Sequence, residues 1–346
     1  MIYYHYEIVY AYYYFKMKKL IFKLFYWKLC FLFLMAVLLA GCASITGRTI
    51  SQAPNEISKT PEAYFCPKDD CSRVFEKHIN SANFSVHCAF YDINLRNIIS
   101  SLANKSKSID VKAVIDSSNY KEQIKGDGIR LDNNNQLMHN KFCVIDSGIV
   151  ITGSFNPTGN DNNFNNNNIV VIYSNNLARN YEDEFDELWN GKFGKGANAE
   201  YPILYINNAK IENYFCPEDK CASHIISLIH NAESSIYFMS FSFTNEEIAD
   251  ALIKKEGLDI RSIFDSSQSA SRFSQFKRLE DFGMNVKKDK SKYKMHHKVF
   301  IIDNETIATG SFNPTLSADT KNDENLLIIH DKKIAEAFLK EFDNLW

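Results

Sequence analysis

Apolar residues along the chain fall alternately into helical stripes and short continuous runs. Within 223–232, Ile225, Ile226, Leu228 and Ile229 recur at helical spacing. The apolar and aromatic run 236–243 suits a strand buried on both faces. A second helical pattern covers 246–255, a strand follows at 259–264, and 299–302, 306–309 and 326–329 read as further short strands. Helices alternating with buried strands indicate an α/β sandwich and not an all-β domain.

The pattern occurs twice. Tyr64-Phe65-Cys66-Pro67 returns as Tyr214-Phe215-Cys216-Pro217, Asp116-Ser117-Ser118 as Asp265-Ser266-Ser267, and Glu184-Phe185-Asp186 as Glu341-Phe342-Asp343. The offset is 150 at the Cys pairs, 149 at the Asp-Ser-Ser stretch and 157 beyond, so the extra residues lie before position 296. Two tandem α/β domains, 61–195 and 196–346, are expected to pack side by side about a pseudo-twofold axis.

The most polar repeated stretch holds the candidate chemistry. His139, Lys141 and Asp146 followed by Gly153, Ser154 and Asn156 match His296, Lys298 and Asp303 followed by Gly310, Ser311 and Asn313. Both copies fit H-x-K-x4-D-x6-G-S-x-N without a gap. Side chains two apart on a strand share a face, so each copy presents an imidazole with an ammonium and a hydroxyl with an amide. Gly153 and Gly310 are expected to let the backbone approach a ligand closely. Two copies meeting face to face suit a phosphoryl group. One imidazole attacks phosphorus, the other protonates the leaving oxygen, and the lysines stabilise charge. Asp146 and Asp303 complete the catalytic motif but sit at strand ends, better placed to support structure or orient donors than to attack. A metal is not expected, because a Lys beside each His opposes a cation. No cofactor is implied.

Charge changes the picture modestly. The chain carries −3 overall and its first 41 residues, with five Lys and one Glu, carry +4, leaving the remainder at −7. An acidic body gives no general support for nonspecific nucleic-acid binding. A local groove of Lys254, Lys255, Arg261, Lys287, Lys288, Lys290, Lys292 and Lys294 would favour it, because the last five precede His296. The N-terminal 1–41 reads as a signal region with Met17 as the start of its basic segment. Its apolar run, 29–40, is short of the ~20 residues of a spanning helix. It ends in Leu39-Ala40-Gly41-Cys42, which resembles a bacterial lipoprotein signal with Cys42 lipidated, and 42–60 reads as a polar tether.

The paired motif resembles that of the phospholipase D superfamily, over nearly all of 61–346. The resemblance implies two α/β domains with one shared active site and metal-independent phosphodiester cleavage through a phosphohistidine. His139 and His296 would be nucleophile and general acid, with His139 favoured as nucleophile. Lys141, Lys298, Asn156 and Asn313 would bind phosphate, assisted by Ser154 and Ser311. One departure stands out. Glu324-Asn325 matches the family's downstream acidic position, which orients a catalytic His, whereas the first copy has Asn167-Asn168 there. A carboxylate raises the pKa of a neighbouring imidazole and an amide does not, so the two histidines are expected to differ.

Export favours disulfides at Cys66/Cys71 and Cys216/Cys221, with a four-thiolate zinc site or free thiols as alternatives. Cys88 and Cys143 read as buried thiols. The expected protein is an exported, lipid-anchored phospholipase D-type phosphodiesterase at a bacterial membrane, outer membrane or periplasmic face, with phospholipid as its partner. A nonspecific endonuclease and a non-catalytic phosphate-binding surface lipoprotein are the alternatives.

Overall fold

The computed structural model describes residues 16–19, 22, 23, 25, 27, 28, 54–122 and 124–346. The chain divides into two units, 1–49 and 50–346, and the described residues of the first are helical. The expected lipobox at 39–42, with Cys42, and the tether up to residue 53 lie outside the described residues. No helix among the described residues is long and apolar enough to cross a membrane.

Within the second unit, 54–60 is not a free tether. Glu56 pairs with Ile206, and its carboxylate accepts the N–H groups of Asn175 and Asn176 and the Ser174 hydroxyl at a helix N-terminus. An anion at that end satisfies donors the helix cannot use itself.

Two sheets follow. The first holds β1 (Glu62–Cys66), β2 (Ser85–Phe90), β3 (Asp110–Ile115), β4 (Ile129–Leu131), β5 (Lys141–Ile145), β6 (Ile149–Gly153) and β7 (Asn167–Tyr173), ordered β1-β7-β6-β5-β2-β3-β4. The second holds β8 (Ile203–Ile206), β9 (Ala209–Cys216), β10 (Ser235–Ser240), β11 (Asp259–Phe264), β12 (Asn285–Lys288), β13 (Lys298–Ile302), β14 (Thr306–Gly310) and β15 (Glu324–His330). Its order is β12-β11-β10-β13-β14-β15-β9-β8, the same as the first once β8 is set aside. The sequence repeat is therefore a repeat in space. The edge strands β1 and β9 were not legible as strands, and the longer stretch before His296 holds helix Phe276–Asp281, while β12 answers β4 of the first half.

Helices Asn175–Trp189 and Lys332–Leu345 lie between the sheets. Ser174 caps the first through the Leu177 N–H, and Asp331 caps the second through Lys333 and Ile334. Their apolar stripes bury Leu177, Ala178, Tyr181 and Phe185, and Ile334, Ala335, Phe338 and Phe342, in one core shared by both sheets. The halves exchange contacts reciprocally. Tyr181 packs edge-on against Phe142 of its own half and Phe215 of the other, while Phe338 packs against Phe65. Truncating Phe338 to Ala would cost about 3–5 kcal/mol.

Cys66–Cys71 and Cys216–Cys221 are disulfides, one in each half, which removes the four-thiolate reading. Cys88 and Cys143 are buried as expected but are not thiols. They face each other in the antiparallel register of β2 and β5 and form a third disulfide.

Candidate active site

Each H-x-K pair enters its sheet from a loop held by the opposite half. The His139 N–H donates to the Asp323 carbonyl and the His296 N–H to the Asn166 carbonyl, each at 2.9 Å. From their own halves, Asp116 accepts the Met138 N–H and Asp265 the Met295 N–H. Alternation along the strand then sorts the side chains. His139 and Lys141 take one face, and Asn140 turns into the interface, where it donates to Glu184 and accepts from Asn325. His297, its counterpart, meets Asn168 there.

Both imidazoles are anchored across the halves. His139 Nδ1 lies 2.7 Å from Oε2 of Glu324, and His296 Nδ1 lies 2.7 Å from Oδ1 of Asn167. The Asn167 amide is oriented by its own N–H groups, which donate to the carbonyls of Asp161 and Asn165. Its oxygen therefore faces His296. Each His accordingly carries its proton on Nδ1 and keeps the Nε2 lone pair free. Lys141 Nζ donates to the His139 carbonyl at 2.7 Å and Lys298 Nζ to the His296 carbonyl at 2.8 Å. Tyr91 sits edge-on to His139 and under Lys141, and Phe241 does the same for His296 and Lys298.

All four basic groups are buried, Lys141 at 1% and Lys298 at 3% exposure. Burial pushes the Lys141 ammonium down to about 7, against the pull of Glu324 and Asp161. Burial, then Lys141, holds Lys298 well below its usual range. His139 is lowered by burial, partly offset by Glu324, so the expected net rise does not occur. His296 falls well below its ordinary value through burial and the charges of Lys298, Lys141 and His139. The expected inequality persists in direction: the imidazole beside the carboxylate is the less depressed. Crowded, desolvated cations of this kind favour a bound anion.

The family model described as "Cardiolipin synthase, PLD-like domain" matches residues 75–189 and 225–346, one segment in each half. The chain belongs to the phospholipase D superfamily. It is 33% identical over 163 residues to the phospholipase D of Rickettsia prowazekii, covering 46% of this chain and 80% of that protein. It is also 33% identical over 150 residues to the mitochondrial cardiolipin hydrolase of Xenopus tropicalis, covering 42% of this chain and 70% of the relative. Each such match spans about one of the two copies here. The crystal structure of the phosphatidylserine synthase of Haemophilus influenzae is similar over 84% of this chain and 87% of its own, with a TM-score of 0.63 and 13% identity. That likeness bears on the two-domain phospholipase D fold alone.

Several phospholipase D motif positions do something other than expected. Ser154 and Ser311 are fully buried, accept the N–H groups of Asn168 and Asn325, and donate to Asn167 and Glu324. They position the groups that hold the imidazoles, while Glu324 contacts His139 and Ser311, the orienting place that its match to the family's acidic position implied. Asn156 and Asn313 keep buried amide oxygens without a partner among the described residues. Asp146 and Asp303 lie at the far ends of β5 and β13, roughly 16 Å along the strand from the lysines. They accept the N–H groups of Asn83, Phe84 and Ser85, and of Glu233, Ser234 and Ser235, so they belong to the strand framework and not to the catalytic set.

Gly153 and Gly310 are needed for the neighbouring strand and not for a ligand. Their φ values are +151° and +142°, and a Cβ would meet the carbonyl oxygens of Asn168 and Asn325 at 2.3 Å. The expected basic groove is not one surface either. Arg261 pairs with Asp259, Lys255 donates to the Ala232 carbonyl, and Lys287 covers the Trp346 ring. Lys290, Lys292 and Lys294 remain in the loop entering the site. Tyr91, Phe241 and Asp161 were missed. The aromatic pair was detectable as a repeat at the 150 offset, one residue beyond β2 and β10.

Proposed function

We propose that the chain is a phospholipase D-type phosphodiester hydrolase that releases phospholipid headgroups, with His139 as nucleophile and His296 as general acid. The observation that carries this reading is the pair of free Nε2 atoms, each fixed by an Nδ1 partner from the opposite half. His139 Nε2 forms a bond to phosphorus, and the bond to the headgroup oxygen breaks as that oxygen takes the Nε2 proton of His296. His296 enters this step as the imidazolium, protonated on both nitrogens, and leaves it as the neutral Nδ1–H form. Water then attacks phosphorus and gives its proton to His296, the P–N bond breaks, and His139 is regenerated with phosphatidic acid as product. Lys141, Lys298, Asn156 and Asn313 hold the non-bridging oxygens. Glu324 stabilises the charge that builds on His139 when Nε2 becomes bonded to phosphorus.

Export and lipidation at Cys42 would hold this site against its substrate at a bacterial membrane. The support is the order of basic segment, apolar run and Leu39-Ala40-Gly41-Cys42. A second reading, a nuclease, is favoured by one feature beside the pocket. Phe164 and Tyr293 are exposed and stacked at 4.7 Å, with Lys292 on the Tyr293 ring, a platform on which a base could lie.

Headgroup release from mixed phospholipid vesicles and nicking of plasmid DNA, each with EDTA, separate the two. Lipid turnover that survives EDTA and is lost in His139→Ala and His296→Ala supports the phospholipase. DNA nicking without lipid turnover moves the assignment to a nuclease. Radiolabelled palmitate incorporation lost in Cys42→Ala tests the anchor.

A further inference from the structure

The two imidazoles are not served by the same residues. Glu324 answers His139, but its counterpart Asn167 has no charge to offer His296. A second asymmetry lies six residues earlier. Asp161 stands in the first half where the 157 offset places Ala318 in the second. Asp161 is 4% exposed, and its Oδ2 is 3.6 Å from His296 Nδ1. The same oxygen accepts the Asn156 backbone N–H at 2.9 Å and its side-chain N–H at 2.8 Å, while Oδ1 accepts from Asn165 at 2.7 Å. Among the described residues it is the carboxylate within ion-pair distance of His296.

We propose that Asp161 is a positioning residue that supplies to His296 the negative charge Asn167 lacks, so that each imidazole has one buried carboxylate beside Nδ1. The inference rests on the hydrolase reading for its catalytic meaning. The two exchanges are reciprocal. The first half pairs an amide at 167 with an acid at 161, and the second pairs an acid at 324 with an apolar residue at 318. The charge is needed because the largest influences on His296 all oppose its protonation: burial, then Lys298 from its own segment, Lys141 and His139 from the first half, and Lys294. Without a nearby anion the imidazolium that must deliver the proton would be the costliest species in the pocket. Asn167 fixes the ring, and Asp161 supports its charged form while holding Asn156 toward the phosphate position.

The test is an NMR titration of the full chain labelled in its histidine rings, with His139 and His296 assigned by single substitution, alongside the pH profile of kcat/KM. Asp161→Asn keeps the acceptor for Asn156 and removes the charge. The His296 midpoint is expected to fall by about one unit or more while His139 moves by a few tenths. The alkaline limb of kcat/KM falls with it, and Asn167→Glu in the Asp161→Asn background restores both. Loss of activity with an unmoved His296 midpoint would show that Asp161 serves only to hold Asn156, and would overturn the proposal. Should Asp161→Asn fail to fold, Asn167→Glu alone decides. A rise in the His296 midpoint of less than about one unit is expected where Asp161 already supplies the charge, and any larger rise overturns it. Because the titration needs no turnover, an inactive wild type would refute the hydrolase reading without touching the ionisation result.

Discussion

Replacing Glu324 with Gln isolates the charge at His139. Glu324 is fully buried and receives the His139 Nδ1–H at 2.7 Å and the Ser311 hydroxyl at 2.6 Å. Gln has the same length and retains a carbonyl acceptor, so the ring stays fixed much as Asn167 fixes His296. What disappears is the anion opposite the positive charge that develops on His139 as Nε2 bonds to phosphorus. With charge centres about 4 Å apart and an effective dielectric of about 20, that interaction is worth about 4 kcal/mol. At tenfold in rate per 1.36 kcal/mol, the phosphorylation step should slow about a thousandfold. Single-turnover headgroup release, with alkaline quenching to trap the acid-labile phosphohistidine, measures that step directly. A rate within about threefold of wild type would refute the assignment of Glu324 as the stabiliser of the nucleophile. Stability offers a check on sign. The folded-state pKa of Glu324 is depressed, so its contribution is present above the unfolded value near 4.5 and is lost as pH falls through the folded value. The stability gap between wild type and Glu324→Gln, read by urea unfolding, should therefore close in acid.

Other expectations follow from the same geometry. Lys141 is held at about 7, so an oxyanion such as tungstate that restores its charge should bind with proton uptake above that pH. Calorimetry in buffers of different ionisation enthalpy should show this uptake, and Lys141→Met should reduce it to the share of Lys298. In the empty site the same depression opposes folding fully below about pH 7 and fades toward the unfolded value of 10.5, so phosphate should raise Tm more at pH 6.5 than at pH 9. Gly153→Ala or Gly310→Ala forces a Cβ against a strand carbonyl at 2.3 Å, and each should lower urea stability by about 2–4 kcal/mol. Cys88→Ser with Cys143→Ser opens a cross-link spanning 55 residues. A stability loss of about 4 kcal/mol is expected by chain entropy, visible as a lower urea midpoint that reductant no longer changes.

The chain itself determined most of what is local or duplicated. The apolar runs placed β10, β11, β13, β14 and β15 within a few residues, because a strand buried on both faces leaves an unmistakable mark in composition. The duplicated H-x-K-x4-D-x6-G-S-x-N carried the family and the shared site, since strand alternation alone puts His139 with Lys141 and His296 with Lys298. Tertiary structure decided what depended on partners distant in sequence. Glu324 reaches His139 across 185 positions and Asn167 reaches His296 across 129, an exchange between halves that no local pattern encodes. The glycines of the motif, read as making room for a ligand, make room for β7 and β15, because only the sheet register brings those carbonyls close. Cys88 and Cys143 became a pair because antiparallel pairing set them opposite each other. Asp161 gained significance only when folding brought it beside His296. Side-chain direction follows from the backbone period and is legible in sequence, whereas the choice of neighbour across a packed interface is made by the whole fold.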